Sequence, residues 1–514
     1  MKAYLKKFTS VLLIAALIIS VLFVSASCGS KDDNSNNADN IAKDADNANA
    51  NANQEDVQNQ NDSSHSTEKI YPDLPAKDFG GYEFKYLTRT IDDIDWAEWN
   101  HRDLFSEELN GDILNDAVFN RNKKIEEKYN IIISETVIID FQGTVRKTVK
   151  AGDDAYDVVC THLVEVASLA QDGSITDLFS VPNLDFSKPW WNQNCPRDLS
   201  IGNRLFVMQG DLLIMDNDAM EAMIFNKALL RDAGLDDPYV IVKNGEWTFG
   251  KLIEMSRGVS KDLNGDGQMY IKDDLFGCIL QSDTDISFLV SGGEKVASKD
   301  ENDYPIVTFG SERCYKIMEA VSTLMLDEDN VVQLHRYYGK FGIYDEQVKM
   351  MQEDRALFSW IRMRVVERLR GMETDFGIIP LPKLDKSQEK YITHNNPHTG
   401  AGISIPRSAS DLERTGMILE DLSAESKYTL QPAYYEVNLR GKYARDDESQ
   451  EMLDIILNNT AYDIGYIYDF GGFAMSIIHY GRDKKTNYAS TFEKAEQKMW
   501  KDIEKTIAAY EKID

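Results

Sequence analysis

Positive charge is scarce in this chain: across 514 residues, 56 Lys and Arg stand against 86 Asp and Glu, a net charge of -30. Phosphate backbones are held by clustered cations that displace counterions, so this balance argues against nucleic acid as a partner. Cysteine is sparse as well. The five cysteines, at 28, 160, 195, 278 and 314, show no CxxC pair and no zinc-like spacing, so no disulfide framework is implied. Beyond Cys28 the four others read as buried thiols, with one disulfide among them as the alternative. No GxSxG, HExxH, P-loop or strand-following GxGxxG occurs, and Ser387-Gln-Glu-Lys390 fits SxxK with no accompanying KTG. Carboxylates are so numerous that no pair stands out as the acid and nucleophile of a glycosidase. What is missing is enzyme chemistry; a binding protein is the simpler reading.

What is present starts with Lys2, Lys6 and Lys7 ahead of an apolar run from Val11 to Val24, shorter than the roughly 20 residues a spanning helix needs. The run reads as an export signal. Its end, Val24-Ser25-Ala26-Ser27-Cys28-Gly29-Ser30, looks like the lipobox of bacterial lipoproteins, which implies lipidation of Cys28, although Ser25 stands where that pattern prefers Leu. Asn, Asp, Ala, Ser and Gln then fill 28–69, with too little apolar surface to offset the entropy of ordering. About 40 such residues make a tether with a reach near 35 Å.

The folded part begins near Ile70. Tyr82 to Leu87 alternates as a half-buried first strand, and Leu114, Val118, Ile125 and Tyr129 mark one face of a helix. Ile131 to Ile139 and Tyr156 to Cys160 read as further strands, the second followed by the helix LVEVASLAQ and a stop at Gly173. Strand, helix, strand, helix predicts a parallel α/β lobe. Leu205 to Met208 reads as another strand. Ser410 with Glu413 reads as a capping box for a helix with Leu412, Leu419 and Leu422 inward.

In the stretch Ile224 to Gly277, Asn226-Lys227 precedes a short helix closed by Ala233-Gly234-Leu235, Trp247-Thr248-Phe249 opens the next with Thr248 as N-cap, and DLNGDG closes it. This order resembles the extracellular solute-binding proteins of ABC importers, a family that chiefly captures sugars and oligosaccharides. DFGIIPLPKLD at 375–385 resembles the family's strand-plus-Pro landmark, NDAVFNRNKKIEEKYN and 431–457 resemble its clostridial-type members, and the likeness covers roughly residues 80 to 510. It implies an α/β, two-lobed, periplasmic-binding-protein-like fold of type II. Residues 70–212 and 398–432 would form lobe one, and 213–397 with 433–514 lobe two, hinged at crossings near Gly210, Gly400 and Gln431.

The resemblance further implies a lipid-anchored monomer on the extracytoplasmic face of the cell membrane. Its partners would be a carbohydrate and the membrane subunits of an ABC transporter. The alternatives are a cell-surface glycoside hydrolase or lyase, and a sugar sensor of the same fold.

Ligands of open α/β sheets gather at strand carboxyl ends, and sugars suit aromatic faces ringed by planar polar groups. On that basis Arg89, His162, Trp190, Asp211 and Asn395 are expected ligand-binding residues, and the resemblance implies Trp360 as the stacking platform of the second lobe, with Arg362 close to it in sequence. Trp96 and Trp99, spaced as helix neighbours, read equally as core. Asp262, Asn264, Asp266 and Asp273 in DLNGDGQMYIKD match a calcium loop in spacing, with Gly267 at the sharp turn and Asp where the usual closing residue is Glu. Structural calcium is one reading of that loop and a metal-free acidic turn the other. No other cofactor is expected.

Overall fold

The apolar run ending at Cys160 becomes a strand buried along its whole length, because it lies inside a sheet covered on both faces. Nine strands form the two main sheets: β1 (Tyr82–Arg89), β2 (Ile131–Ile138), β3 (Val158–His162), β4 (Glu221–Asn226), β5 (Phe276–Leu280), β6 (Val331–Gln333), β7 (Ala356–Arg362), β8 (Phe376–Ile379) and β9 (Ala401–Ser404). In this computed structural model residues 69–90, 99–439 and 447–513 are described. The signal, the Cys28 anchor, the tether up to residue 68, and Trp96 lie outside the described residues.

Sheet one has the order β9-β3-β1-β2; β1 runs parallel to β2 and β3, and β9 closes the edge antiparallel to β3. Sheet two has the order β8-β4-β7-β5-β6, with β4 antiparallel to both neighbours. The helix Ile113–Tyr129 covers sheet one with the face expected from its spacing: Leu114, Val118, Ile125 and Tyr129 are all buried, and the Asp112 carboxylate caps its first turn. Leu163–Gln171 follows β3 and stops before Gly173, whose φ of 76° suits a residue without Cβ. Thr248 caps its helix by accepting from the Lys251 amide at 3.3 Å.

Two local expectations change. Leu205 to Met208 forms no strand and only the single bridge Met208 to Ile403, because the chain there is already turning toward the second lobe. Asp411, not Ser410, caps the helix Leu412–Tyr428 by accepting from the Arg414 amide at 2.9 Å, while Ser410 bonds Asp154. The four described cysteines are free and buried.

The chain crosses between sheets through 209–220 and returns through 393–400, ahead of β9. The third crossing lies beyond Gln431. Leu430–Leu439 packs through Leu430, Ala433 and Tyr434 onto Leu114 and Val118 of lobe one, whereas Asp447–Asn458 places Leu453 and Ile456 against Phe376 and Ile378 of β8. Side-chain amides tie the crossings together. Gln431 donates to the carbonyls of Asp211 and Leu213 at 3.0 and 2.7 Å, Asn217 donates to Gln431 at 3.0 Å, and Asn395 donates to the Asp216 carbonyl at 2.9 Å. The helix Tyr488–Tyr510, assigned by sequence to lobe two, touches both lobes. Tyr488 bonds Asp285 at 2.7 Å near its start, while Thr506 accepts from Gln171 at 2.7 Å and Tyr510 packs against Phe206 near its end.

Candidate functional site

Sheet register decides which side chains meet. β1 ends at Arg89 and β3 at His162; because β9 is antiparallel to β3, pairing Ala401 with His162 brings the segment before it, 396–400, to the same end. In sheet two, Arg362 ends β7, Gln281 to Asp283 follow β5, and the antiparallel pairing of Arg362 with Glu221 brings the start of β4 to that end too. The carboxyl ends of both sheets therefore converge on one cleft, the place where α/β sheets hold ligands.

At its centre Arg362 pairs with Asp283, whose Oδ2 also accepts from Asn396 Nδ2 at 2.9 Å. The same amide reaches Glu221 Oε1 at 3.0 Å, and the other Glu221 oxygen lies 2.9 Å from His394 Nδ1. On the lobe-one wall Arg89 Nη1 lies 2.6 Å from His162 Nδ1, and its Nε is 3.7 Å from Glu165. Below, Gln347 donates to Ser359 Oγ at 2.9 Å and to the Trp360 carbonyl at 2.6 Å, while Gln281 donates to Gln347 at 2.8 Å.

Burial works against the Asp283 carboxylate, but the Arg362 guanidinium, helped by the hydrogen bond from Asn396, holds it below its ordinary value. Burial also depresses His398, with Arg362 acting in the same direction against the pull of Asp283. The cleft is closed in this structure. Arg362 of lobe two lies 5.7 Å from the ring centre of Trp99, and Arg102 bonds Glu367 of lobe two at 2.7 Å.

Inside this network several buried polar atoms have no hydrogen-bond partner among the described residues: Trp360 Nε1, Arg362 Nε, His394 Nε2, His398 Nε2, Gln281 Oε1 and Gln333 Oε1. An unpaired buried polar group costs about 1–3 kcal/mol, so a set of donors and acceptors gathered at one place describes something meant to be met by a polar, two-way hydrogen-bonding molecule.

Of the residues expected from sequence, Arg89, His162 and Arg362 come together here. Trp360 lies beneath them, with the Arg362 guanidinium 5.3 Å from its ring centre and no part of the side chain exposed, so in this conformation it has no open face on which a sugar can stack. Trp190 and Asp211 are elsewhere: they line a separate polar cavity of about 480 Å³ beside Lys427 and Tyr435. There the buried Trp190 indole donates to Glu420 at 3.1 Å, and Asp211, pushed up to about 6 by burial, faces Lys427 at 3.4 Å. Asn395 braces the crossing, and its neighbour Asn396 faces the cleft. Sequence reading passed over Asp283, Glu221 and His398. Asp283 was within reach of the strand-end rule that selected His162, since it stands three residues beyond β5.

In the acidic loop the carboxylates are turned on backbone amides. Asp262 accepts from Gly265 and Gly267 at 2.6 and 2.8 Å, and buried Asp274, not exposed Asp273, closes the loop by accepting from Leu263 and Tyr270. Among the described residues no group of three or more His, Cys, Asp or Glu is placed to hold a metal ion.

No family model matches the chain, and no curated protein matches it by sequence. Solved structures do match in fold. A cycloalternan-bound ABC substrate-binding protein of Listeria monocytogenes is similar at 12% identity and a TM-score of 0.53, over 82% of this chain and 98% of that one. A cyclo/maltodextrin-binding protein complexed with maltotetraose gives 13%, 0.53, 82% and 98%, and maltose-bound MalE3 of T. maritima gives 13%, 0.50, 82% and 99%. At such identities the likeness establishes the architecture: a two-lobed α/β fold of the periplasmic-binding-protein type.

Proposed function

We propose that this protein is a receptor that captures a carbohydrate, an oligosaccharide, between its lobes and presents it to the membrane subunits of an ABC transporter. The observation that carries this reading is the cleft where the carboxyl ends of both sheets meet around unpartnered buried donors and acceptors. Sugar hydroxyls both donate and accept, so one molecule can satisfy Trp360 Nε1 and Arg362 Nε on one hand and Gln281 Oε1 and Gln333 Oε1 on the other. The structurally similar proteins named above are bound to cycloalternan, maltotetraose and maltose, which supports the ligand class.

The receptor acts without covalent chemistry, as a monomer held on the extracytoplasmic face by lipid on Cys28. Among the described residues no helix is long and apolar enough to cross a membrane. Calorimetric titration with maltotetraose, cycloalternan and a panel of other glycans, with product analysis of the same samples, tests the reading. Stoichiometric binding without product is expected. Turnover abolished by substituting an Asp or Glu would replace the receptor with a hydrolase or lyase. A mature N-terminus other than Cys28 in membrane fractions would remove the anchor.

A further inference from the structure

β6 ends in the cleft at Gln333, and the chain then makes the turn Leu334–Tyr337 out to the rim of lobe two, where it meets the short helix Tyr480–Asp483. Between them lies a cavity of about 470 Å³. His335 belongs to both places: its Nδ1 takes the backbone amide of Ser282 at 3.2 Å, one residue before the Asp283 that pairs with Arg362, and its side chain also lines the cavity. The rim is a continuation of the cleft.

Its charge runs against that of the chain. Arg336, Lys340, Arg482 and Lys484 line it against Glu328 and Asp483, in a protein where carboxylates outnumber cations by 86 to 56. Each of the two carboxylates is divided between two cations. Glu328 accepts from Arg336 Nη1 at 2.6 Å and also pairs with Lys484, while Asp483 accepts from Arg482 at 2.8 Å and from Lys485 at 3.0 Å. Lys340 has no carboxylate partner among the described residues, and its ammonium stands 5.0 Å from the centre of the Tyr337 ring. Arg336 is committed to the fold, since its Nη2 also donates to the carbonyls of Met325 and Gly481 at 2.6 Å each. Five cations around two carboxylates repel one another, and an arriving anion offsets that repulsion. Salt screens charges beyond about 8–10 Å, so near the rim these cations outweigh the acidic surface farther away. Tyr338, 68% exposed, lies parallel to the His335 ring with centres 6.2 Å apart and offers the open aromatic face that buried Trp360 lacks.

We propose that this rim is an anion subsite, and that the oligosaccharide captured is an acidic one, whose carboxylate or sulfate meets Lys340, Arg482 and Lys484 while a neighbouring unit occupies the cleft at Arg362 and Asp283. The inference rests on the sugar-receptor reading and narrows its ligand class.

The test titrates the full chain calorimetrically with oligogalacturonate, which carries carboxylate alone, oligocarrageenan, which carries sulfate alone, maltotetraose, which carries neither, and a triglutamate peptide, which is no sugar. One of the two acidic glycans should bind about twentyfold more tightly than maltotetraose, from two partly exposed ion pairs at about fivefold each, and which one binds identifies the anionic group. Raising sodium chloride from about 50 to about 500 mM should remove most of that margin. Lys340→Gln and Arg482→Gln should each lower the acidic-to-neutral affinity ratio about fivefold, a readout that a merely structural role would not move. Acidic glycans bound no more tightly than maltotetraose, or an acidic preference that both variants keep, overturn the subsite and leave the sugar receptor standing. Triglutamate bound through Lys340 and Arg482, with no glycan bound, keeps the anion site and removes the sugar reading; no binding of any of the four overturns both.

Discussion

Arg102 Nη2 donates to Glu367 Oε1 at 2.7 Å, and the two residues belong to different lobes. The same nitrogen reaches Asp218 at 3.0 Å on the first crossing, and Arg364 lies 3.1 Å from Glu367, so this clasp joins both lobes to the hinge. Both Arg102 and Glu367 are partly exposed, which limits such a pair to about 1 kcal/mol. Glu367→Gln should shift the lobes toward the open state and weaken ligand binding about fivefold. Small-angle scattering of ligand-free protein should show a larger radius for the variant, and an unchanged radius and affinity would remove Glu367 from the closure.

Trp360 needs a gentler substitution than alanine. Emptying a fully buried indole site costs about 3–5 kcal/mol, so Trp360→Ala lowers stability and affinity together and reports neither cleanly. Trp360→Phe keeps most of the ring and deletes the unpartnered Nε1 donor. If that donor meets the ligand, affinity should fall roughly tenfold, the worth of one hydrogen bond, with little change in melting temperature. Equal affinity would return Trp360 to the core.

Asp285 gives stability a pH dependence of known sign. Buried in the helix Thr284–Ser291, it accepts from Tyr488 at 2.7 Å through Oδ1, while Oδ2 has no partner. Burial, chiefly, pushes its carboxyl up to about 7. A value raised above that of the unfolded chain means the folded state binds the extra proton. The contribution is therefore complete below about pH 4 and is lost as pH rises to 7, by up to a few kcal/mol. Asp285→Asn keeps an acceptor for Tyr488 and carries no charge, so it should be more stable than the wild type at pH 8 and gain nothing at pH 4. Urea unfolding at the two values decides it; parallel curves would show that Asp285 ionises freely in the fold.

Calcium remains testable at the acidic loop. If Asp262, Asn264, Asp266 and Asp273 take the ion, adding calcium should raise the melting temperature and a chelator should reverse it, with sugar affinity nearly unchanged. The amide bonds to Asp262 describe a loop that closes without it. An unchanged melting curve would settle for the acidic turn.

Local structure was legible because it follows from neighbours in the chain. The periodicity of 114, 118, 125 and 129 chose the buried face of its helix, Thr248 made the cap it was expected to make, and LVEVASLAQ is a helix end to end. Ser410 failed as a cap because Asp411 beside it offers a stronger acceptor one residue closer to the helix. The site was only half legible. A strand end can be recognised from sequence, which found Arg89 and His162, and the resemblance added Arg362 beside Trp360, but the side of the molecule that a connection faces depends on packing far away. Trp190 and Asp211 carry the same polar and aromatic signature as a sugar site, and their segments fold against Glu420 and Lys427 instead. Asn395 and Asn396 are adjacent and chemically identical, and only the turn of the backbone between them sends one to the crossing and the other to the cleft.

The helix Tyr488–Tyr510, at 1.5 Å per residue, is a rod of about 34 Å with one end bound to each lobe. A rod fixed at both ends cannot lengthen. The bodies it joins can swivel about a line near its own axis, but they cannot be drawn straight apart without tearing Tyr510 from Phe206 or Tyr488 from Asp285. Relative motion that keeps both contacts is then torsional, one lobe sliding across the other.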